Sequence, residues 1–185
     1  MRQLPVNHDP MLQELAATLI LQNLSLEELR RIIGVCEHWE YAPGEAIVTQ
    51  DSVSRYLYIL LSGSVDIMVR GAEKEQVRVS GVEKGDVFGE TSMFMDVRRT
   101  ASVVARTQVR LVSISRDHIF EYCNAMPTAG LKILTFIIYS LLRKLNTMNR
   151  DLALERESMV TQEDLDTLKD LFPKTLDQII QASEP

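Results

Sequence analysis

The sequence predicts an α+β fold, a β-rich centre flanked by helices, from three observations. Between residues 46 and 115, short segments rich in Val, Ile, Leu and Tyr are separated by glycines at regular intervals, which is typical of a sandwich or a barrel. Before and after this range, apolar residues recur at helical spacing. The 185 residues, 45% of them hydrophobic, suit one globular domain with additional helix rather than two complete domains.

Residues 1–40 are predicted to form an N-terminal helical segment. Residues 11–24 are strongly apolar and rich in good helix formers. Ser25, followed three residues later by Glu28, is a capping-box pattern. It predicts a second helix over residues 26–38.

Residues 41–127 are predicted to hold the strands. The Pro43-Gly44 pair indicates a turn where this region begins. The predicted strands lie within residues 45–50, 56–61, 64–70, 77–82, 101–106 and 109–115. In one of them Val65, Ile67 and Val69 alternate with more polar residues, as in a strand with one face toward the core.

A long helix is predicted over residues 128–157, with Thr128 as its cap. Its apolar residues repeat at alternating spacings of three and four over three heptads: Leu131, Leu134, Ile138, Leu141, Leu145, Met148 and Leu152. Such a seam is typical of helices that pair with each other. A helix that packs only on its own domain is the alternative, but beyond Leu145 the other face becomes polar, which favours a helix-to-helix dimer.

The remaining residues, 158–185, are predicted to form a short acidic helical tail. Residues 151–185 contain nine acidic and three basic residues, and the whole chain has a formal net charge of -6. DNA binding requires neutralisation of phosphates by Lys and Arg, which this region cannot supply. We therefore expect no direct DNA binding.

Several further classes of function lack their sequence signals. Cys36 and Cys123 lie far apart, with no CxxC pair or histidine cluster beside them, so neither a disulfide framework nor a zinc site is indicated. His8, His38 and His118 are scattered, so we predict no metal site, no catalytic set and no enzyme activity. No signal peptide and no run of about 18 apolar residues is evident, so we expect a cytoplasmic protein without membrane insertion.

The residues that indicate chemistry lie between two predicted strands. Gly89 permits close backbone approach, and the residues after it can open a short helical turn whose free N–H groups attract an anion. Ten residues further on, Arg99 offers a planar fork that can grip a phosphate. Glu90 would be repelled by that phosphate unless it accepts hydrogen bonds, for example from a ribose hydroxyl. Together these groups predict a sugar phosphate as the ligand.

In this order, the residues resemble the phosphate-binding cassette of the cyclic nucleotide-binding domain family. The family pattern is Phe-Gly-Glu, a short helix, then Arg, a small residue, Ala and a strand; here it reads Phe88-Gly89-Glu90 and Arg99-Thr100-Ala101. The resemblance covers about residues 12–155. It implies a catabolite activator protein-like architecture: an eight-stranded β-roll (a jelly-roll barrel) flanked by N-terminal helices and a long C-terminal dimerisation helix, here without the DNA-binding winged helix.

The resemblance also implies roles for single residues. Glu90 would accept from the ribose 2'-hydroxyl, Arg99 would pair with the cyclic phosphate, and Thr100 would contact the phosphate or a syn guanine. The complete candidate site comprises Phe88, Gly89, Glu90, Thr91, Ser92, Arg99, Thr100 and Ala101, with Thr147, Met148 and Asn149 as the helix residues that cover the base. The chain departs from the pattern at Asp51, where most members have Gly, and at Val97 and Arg98, which replace Thr-Pro.

The resulting prediction is a cyclic AMP or cyclic GMP sensor that signals through its C-terminal helix to an unidentified protein partner. The predicted homodimer would form through Leu134, Ile138, Leu141, Leu145, Met148 and Leu152. Two alternatives stay open. The chain could be a protein-interaction scaffold whose pocket is unused or holds another anion, or a regulatory fragment of a longer protein.

Overall fold

The computed structural model of the protein describes residues 1–5, 8–18, 20–71, 75–95 and 97–158. The chain divides into two compact units, Met1–Ser140 and Leu141–Pro185. The acidic tail predicted over residues 158–185 lies, apart from Ser158, outside the described residues.

The described residues form nine strands and five helices. The strands are β1 (Arg2–Leu4), β2 (Glu37–Tyr41), β3 (Ala46–Val48), β4 (Tyr56–Ser62), β5 (Ser64–Arg70), β6 (Gln76–Glu83), β7 (Val87–Phe88), β8 (Ser102–Ala105) and β9 (Val109–Ser115). The helices are α1 (His8–Ala16), α2 (Leu26–Ile33), α3 (Glu90–Phe94), α4 (Arg116–Ala125) and α5 (Pro127–Ser158). Among these helices none is both long enough and apolar enough to cross a bilayer.

The strands form two antiparallel sheets, ordered β1-β2-β9-β4-β7 and β3-β8-β5-β6. The α+β class agrees with the expectation, but the sheets are not closed into a barrel. The expected count of eight strands is not confirmed, since the described residues contain nine. Of the nine, β1 and all of β2 except Tyr41 fall in the segment, residues 1–40, that the sequence predicted as helical.

The difference at β2 has a physical reason. The helix after Ser25 ends at Ile33, and Gly34 forms its C-cap. The next residues include Trp39 and Tyr41, aromatic residues that favour strands. Here β2 pairs with β9 over five residue pairs, from Glu37 opposite Ser113 to Tyr41 opposite Val109. The predicted continuation of the helix to residue 38 is therefore wrong.

The side chains form two hydrophobic cores that share strand β4. One core lies among α1, α2, α4, the first turns of α5 and one face of the β1-containing sheet; it takes Leu57, Ile59 and Leu61 from β4. The other lies between the two sheets and takes Tyr58 and Leu60. Successive side chains of a strand point to opposite faces. Because both faces of β4 are covered, its five central residues are all buried.

The capping box predicted at the start of α2 is present. The Glu28 main-chain N–H donates to Ser25 Oγ over 3.3 Å, and the Ser25 N–H donates to the Glu28 carboxylate over 2.6 Å. Two other helices contact the same residue: Lys132 Nζ of α5 lies 3.1 Å from the carboxylate, and the Tyr122 hydroxyl of α4 donates to the Glu28 carbonyl over 3.0 Å. Glu28 therefore joins three helices of the first unit.

Candidate functional site

Gly89 occupies a position that excludes any side chain. It is the N-cap of α3, with a left-handed backbone (φ 90°, ψ 7°). A Cβ atom there would lie 2.6 Å from the Tyr56 carbonyl oxygen and 2.8 Å from Nη1 of Arg99. Glycine alone combines this backbone with so close an approach. Gly89 is thus the point where β7, the start of β4 and Arg99 meet.

Helix α3 is a short helical turn that is anchored by a buried side chain. Met93 is fully buried in the helical core, and the Met95 N–H donates to the Thr91 carbonyl over 2.9 Å. Anchoring through Met93 brings Glu90 inside, where only 5% of its surface is exposed. Ser92 is also buried, and its hydroxyl donates to the Gly89 carbonyl over 3.3 Å. Thr91 remains exposed at the start of the turn.

Main-chain hydrogen bonds attach the loop after α3 to the segment before β4. The Arg99 N–H donates to the Ser52 carbonyl, and the Asp51 N–H donates to the Arg99 carbonyl, each over 2.9 Å. Arg98 adds a side-chain bond of 2.9 Å to the Asp51 carbonyl. Asp51 has a positive φ of 66°, which Asp tolerates better than most residues. The exchange of Gly for Asp is thus accommodated, and the loop still returns Arg99 to the turn at Gly89.

The Arg99 guanidinium lies inside the protein, held by acceptors on three residues. Nη1 donates to the Gly89 carbonyl over 3.2 Å, while Nη2 donates to the Tyr56 carbonyl over 2.9 Å and to Ser54 Oγ over 3.0 Å. Only 5% of Arg99 is exposed. Within the described part of the chain, its Nε is buried without a hydrogen-bond partner.

Aromatic rings and a nearby carboxylate stabilise this buried cation. The guanidinium carbon lies 5.6 Å from the centre of the Tyr58 ring, and Tyr58 stacks on Phe88 at 4.8 Å with an interplanar angle of 11°. Burial lowers the pKa of Arg99, while Tyr58 and Glu90 act in the opposite direction. An arginine stays charged at neutral pH under such conditions. The site therefore places a positive charge beside the Gly89 turn.

The structure brings together some of the residues that the sequence singled out. Phe88, Gly89, Glu90 and Arg99 are neighbours, as described above, whereas Thr100 is exposed and Ala101 half-buried at the entrance to β8. On α5, Thr147, Met148 and Asn149 belong to the second unit. Their role in covering a base stays a prediction.

Three contact residues of Arg99 were missed by sequence reasoning: Ser54, Tyr56 and Tyr58. Tyr56 and Tyr58 were expected only as strand residues, although a tyrosine in the middle of an otherwise aliphatic buried strand is a signal that its ring or hydroxyl has a polar neighbour. No comparable signal marks Ser54, because its contact depends on how the loop folds. As for metals, no group of three or more His, Cys, Asp or Glu suited to an ion occurs in the described ranges.

Comparison with known proteins gives matches to part of the chain. The family model for the cyclic nucleotide-binding domain matches residues 38–125. A cAMP-dependent protein kinase regulatory subunit from Colletotrichum orbiculare is 35% identical over 98 residues, which are 53% of this chain and 24% of that protein. The human potassium/sodium hyperpolarization-activated cyclic nucleotide-gated channel 3 is 34% identical over 103 residues, 56% of this chain and 13% of the channel.

A solved structure supports the fold. The crystal structure of a cyclic nucleotide-binding domain from Methylobacillus flagellatus superposes with a TM-score of 0.70 at 22% identity, covering 78% of this chain and 81% of that one. The family match lies in residues 38–125, which contain the turn at Gly89 and Arg99. The chain spans a quarter or less of the length of the two curated relatives.

Proposed function

We propose that the chain is a regulatory module that binds cyclic AMP or cyclic GMP at residues 88–101 and signals through its C-terminal helix to a protein partner. The observation that carries the proposal is the buried Arg99 guanidinium beside the Gly89 turn, with Glu90 buried on the same turn. A cation, main-chain N–H groups at the start of a helical turn and a carboxylate acceptor together match a cyclic phosphate joined to a ribose. The match to the family model supports the same ligand class.

Each group of the site has a chemical task in this proposal. Arg99 supplies charge-assisted hydrogen bonds to the phosphate, assisted by the main-chain N–H groups of Thr91 and Ser92. Glu90 accepts from the ribose 2'-hydroxyl. Thr100, exposed beside Arg99, contacts the phosphate or the amino group of a syn guanine.

The proposed module is a homodimer whose subunits meet along α5. The first turns of this helix are held in the first unit by Ala129, Ile133 and Ile137, which are buried. The seam side chains lie elsewhere on the helix. Five of them are exposed, by 37% to 60%: Ile138, Leu141, Leu145, Met148 and Leu152. A second copy of the helix would cover this row at heptad spacing.

Replacing Arg99 tests the ligand site directly. In Arg99→Ala the phosphate loses two charge-assisted hydrogen bonds of about 1.5–3 kcal/mol each, so we expect the affinity for cyclic AMP and cyclic GMP to fall by about 100-fold or more. Titration calorimetry on protein freed of ligand by unfolding and refolding measures this. Arg99→Lys, which keeps the charge and loses the fork, should show an intermediate loss.

Arg78→Ala is the matched control, because it also removes one positive charge but only breaks a surface ion pair with Asp66. Its affinity should equal that of the original chain. Equal affinity in Arg99→Ala, in a protein whose circular dichroism is unchanged, would refute the assignment of the site.

One observation favours a second candidate, a protein-interaction scaffold with an idle pocket. An unpaired buried arginine would be costly, but Arg99 already has three acceptors inside the protein, so the fold tolerates it without a ligand. Under this alternative neither cyclic nucleotide binds the original chain. The same calorimetric titration therefore separates the two functions.

A further inference from the structure

We infer that Ser54 is a latch on the phosphate-binding arginine and that its hydroxyl sets the affinity of the site. The inference rests on the proposed function, since it concerns how the same site takes its ligand. Ser54 lies between β3 and β4, outside both elements, and its side chain is half-buried. Its Oγ accepts a hydrogen bond of 3.0 Å from Nη2 of Arg99.

The geometry of the guanidinium explains why the contact with Ser54 affects phosphate binding. The group has five N–H donors in one plane. Two edges of the guanidinium can each bind a phosphate through two parallel N–H groups. One edge consists of Nε and Nη2, and the other of Nη1 and Nη2, so each edge requires one hydrogen of Nη2. Nη2, which has two hydrogens, donates here to two acceptors, the Tyr56 carbonyl and Ser54 Oγ. No edge therefore presents a complete fork, and a phosphate must displace one of these acceptors to be bound by two bonds.

The two acceptors differ in freedom. Tyr56 begins β4 and pairs with Ser115 of β9, so its carbonyl is held by the sheet. The Ser54 hydroxyl can rotate about a single side-chain bond. When the hydrogen bond between Ser54 Oγ and Nη2 breaks, one edge of the guanidinium has both of its N–H donors available for the phosphate. The bonds to Tyr56 and Gly89 and the Tyr58 ring meanwhile keep the guanidinium in place. The buried Nε, which has no partner within the described residues, then gains one from the ligand.

The latch predicts an unusual result for a substitution in a binding site. Ser54→Ala removes an acceptor that competes with the phosphate, so affinity for cyclic AMP and cyclic GMP should rise by about threefold to tenfold, the effect of one net hydrogen bond. The gain should be equal for the two nucleotides, because they share the phosphate. Ser54→Thr keeps the hydroxyl and should restore the original affinity.

Ser52→Ala is the matched control. Its hydroxyl donates to the Thr49 carbonyl over 2.6 Å in the same loop, without any bond to Arg99 from its side chain. Titration calorimetry with cyclic AMP and with cyclic GMP on the original chain, Ser54→Ala, Ser54→Thr and Ser52→Ala tests the latch. Unchanged or weaker binding by Ser54→Ala overturns the latch, as does an equal gain in Ser52→Ala, which would indicate a general loosening of the loop.

Failure of the latch is distinguishable from failure of the proposed function. If the original chain binds neither nucleotide, the proposed function is wrong and the latch falls with it. If the chain binds and Arg99→Ala abolishes binding, yet Ser54→Ala binds no more tightly, only the latch is wrong.

Discussion

Gly89 and Gly85 have almost the same positive φ angle but very different surroundings. Their φ angles are 90° and 91°. A Cβ atom on Gly85 would meet nothing within 4 Å, whereas one on Gly89 would meet the Tyr56 carbonyl and Arg99. Substitution of the two glycines therefore separates the cost of the left-handed backbone from the cost of crowding the site.

We expect Gly85→Ala to lower the free energy of unfolding by about 1–2 kcal/mol, the strain of a side chain in the left-handed region. Gly89→Ala should cost more, because the clash at 2.6 Å forces the Tyr56 carbonyl or the guanidinium to move. Nucleotide affinity should fall in Gly89→Ala and stay unchanged in Gly85→Ala. Urea denaturation and calorimetry measure the two effects. Equal stability and equal affinity in the two variants would contradict the described crowding.

At the scale of elements, Glu28 shows how one carboxylate connects helices. The hydrogen bond from the Ser25 main-chain N–H lowers the pKa of Glu28 below its ordinary 4.5, with Lys132 acting in the same direction and burial against it. A carboxyl whose pKa is lowered by folding adds stability that is complete above its unfolded pKa and is lost as the pH falls through the folded pKa.

Glu28→Gln should accordingly lower the free energy of unfolding by about 1–3 kcal/mol at pH 7. The difference from the original chain should shrink as the pH falls below the ordinary value of 4.5. Urea denaturation across this pH range tests both points. Glu27→Gln is the control, since Glu27 is exposed and makes only a surface ion pair with Arg31. A pH-independent difference for Glu28→Gln would show that the charge contributes nothing.

The elements that the sequence predicted well are those with a strong local pattern. The predicted strands containing Val65 and Leu111 correspond to β5 and β9, and a helix runs from Pro127 to Ser158 where one was predicted over residues 128–157. Strand β7 was missed because two residues are too short for any period. Helix α4 was missed because it is ten residues long and buries only Ile119 and Tyr122, too few positions to establish a helical period. It begins at a cap where Ser115 Oγ accepts from the His118 N–H.

Some residues of the candidate site could likewise be predicted from a local sequence pattern, and others could not. Gly89, Glu90 and Arg99 could be found from the sequence because they stand at fixed spacings in one continuous segment. The partners of Arg99 could not, because Ser54 and Tyr58 approach it only after the loop before β4 is hydrogen-bonded to the loop after α3. Contacts between distant segments leave no periodic trace in a single sequence.

For the whole molecule, the proposed dimer predicts that the exposed row on α5 is the interface between two copies of the chain. Leu145 lies in the middle of the seam and is 52% exposed. In a dimer formed through this row, Leu145→Lys would bury a charge without a partner, so we expect the variant to be monomeric. Sedimentation equilibrium measures the mass.

Tyr139→Lys is the control for this substitution, because Tyr139 is similarly exposed, at 58%, but lies off the seam. It should remain dimeric. A Leu145→Lys protein that sediments as a dimer would refute the seam as the interface.

Strand β4 connects the surroundings of Arg99 to the helical core of the first unit. Tyr56 supplies an acceptor to Arg99, Tyr58 supplies the ring beneath it, and Leu57 between them belongs to the helical core. Any sliding of β4 that adjusts the Tyr56 carbonyl must also shift Leu57 within close-packed surroundings. The helices that pack against one face of β4 therefore fix the position of the strand, and that position determines where the Arg99 guanidinium is held on the other face.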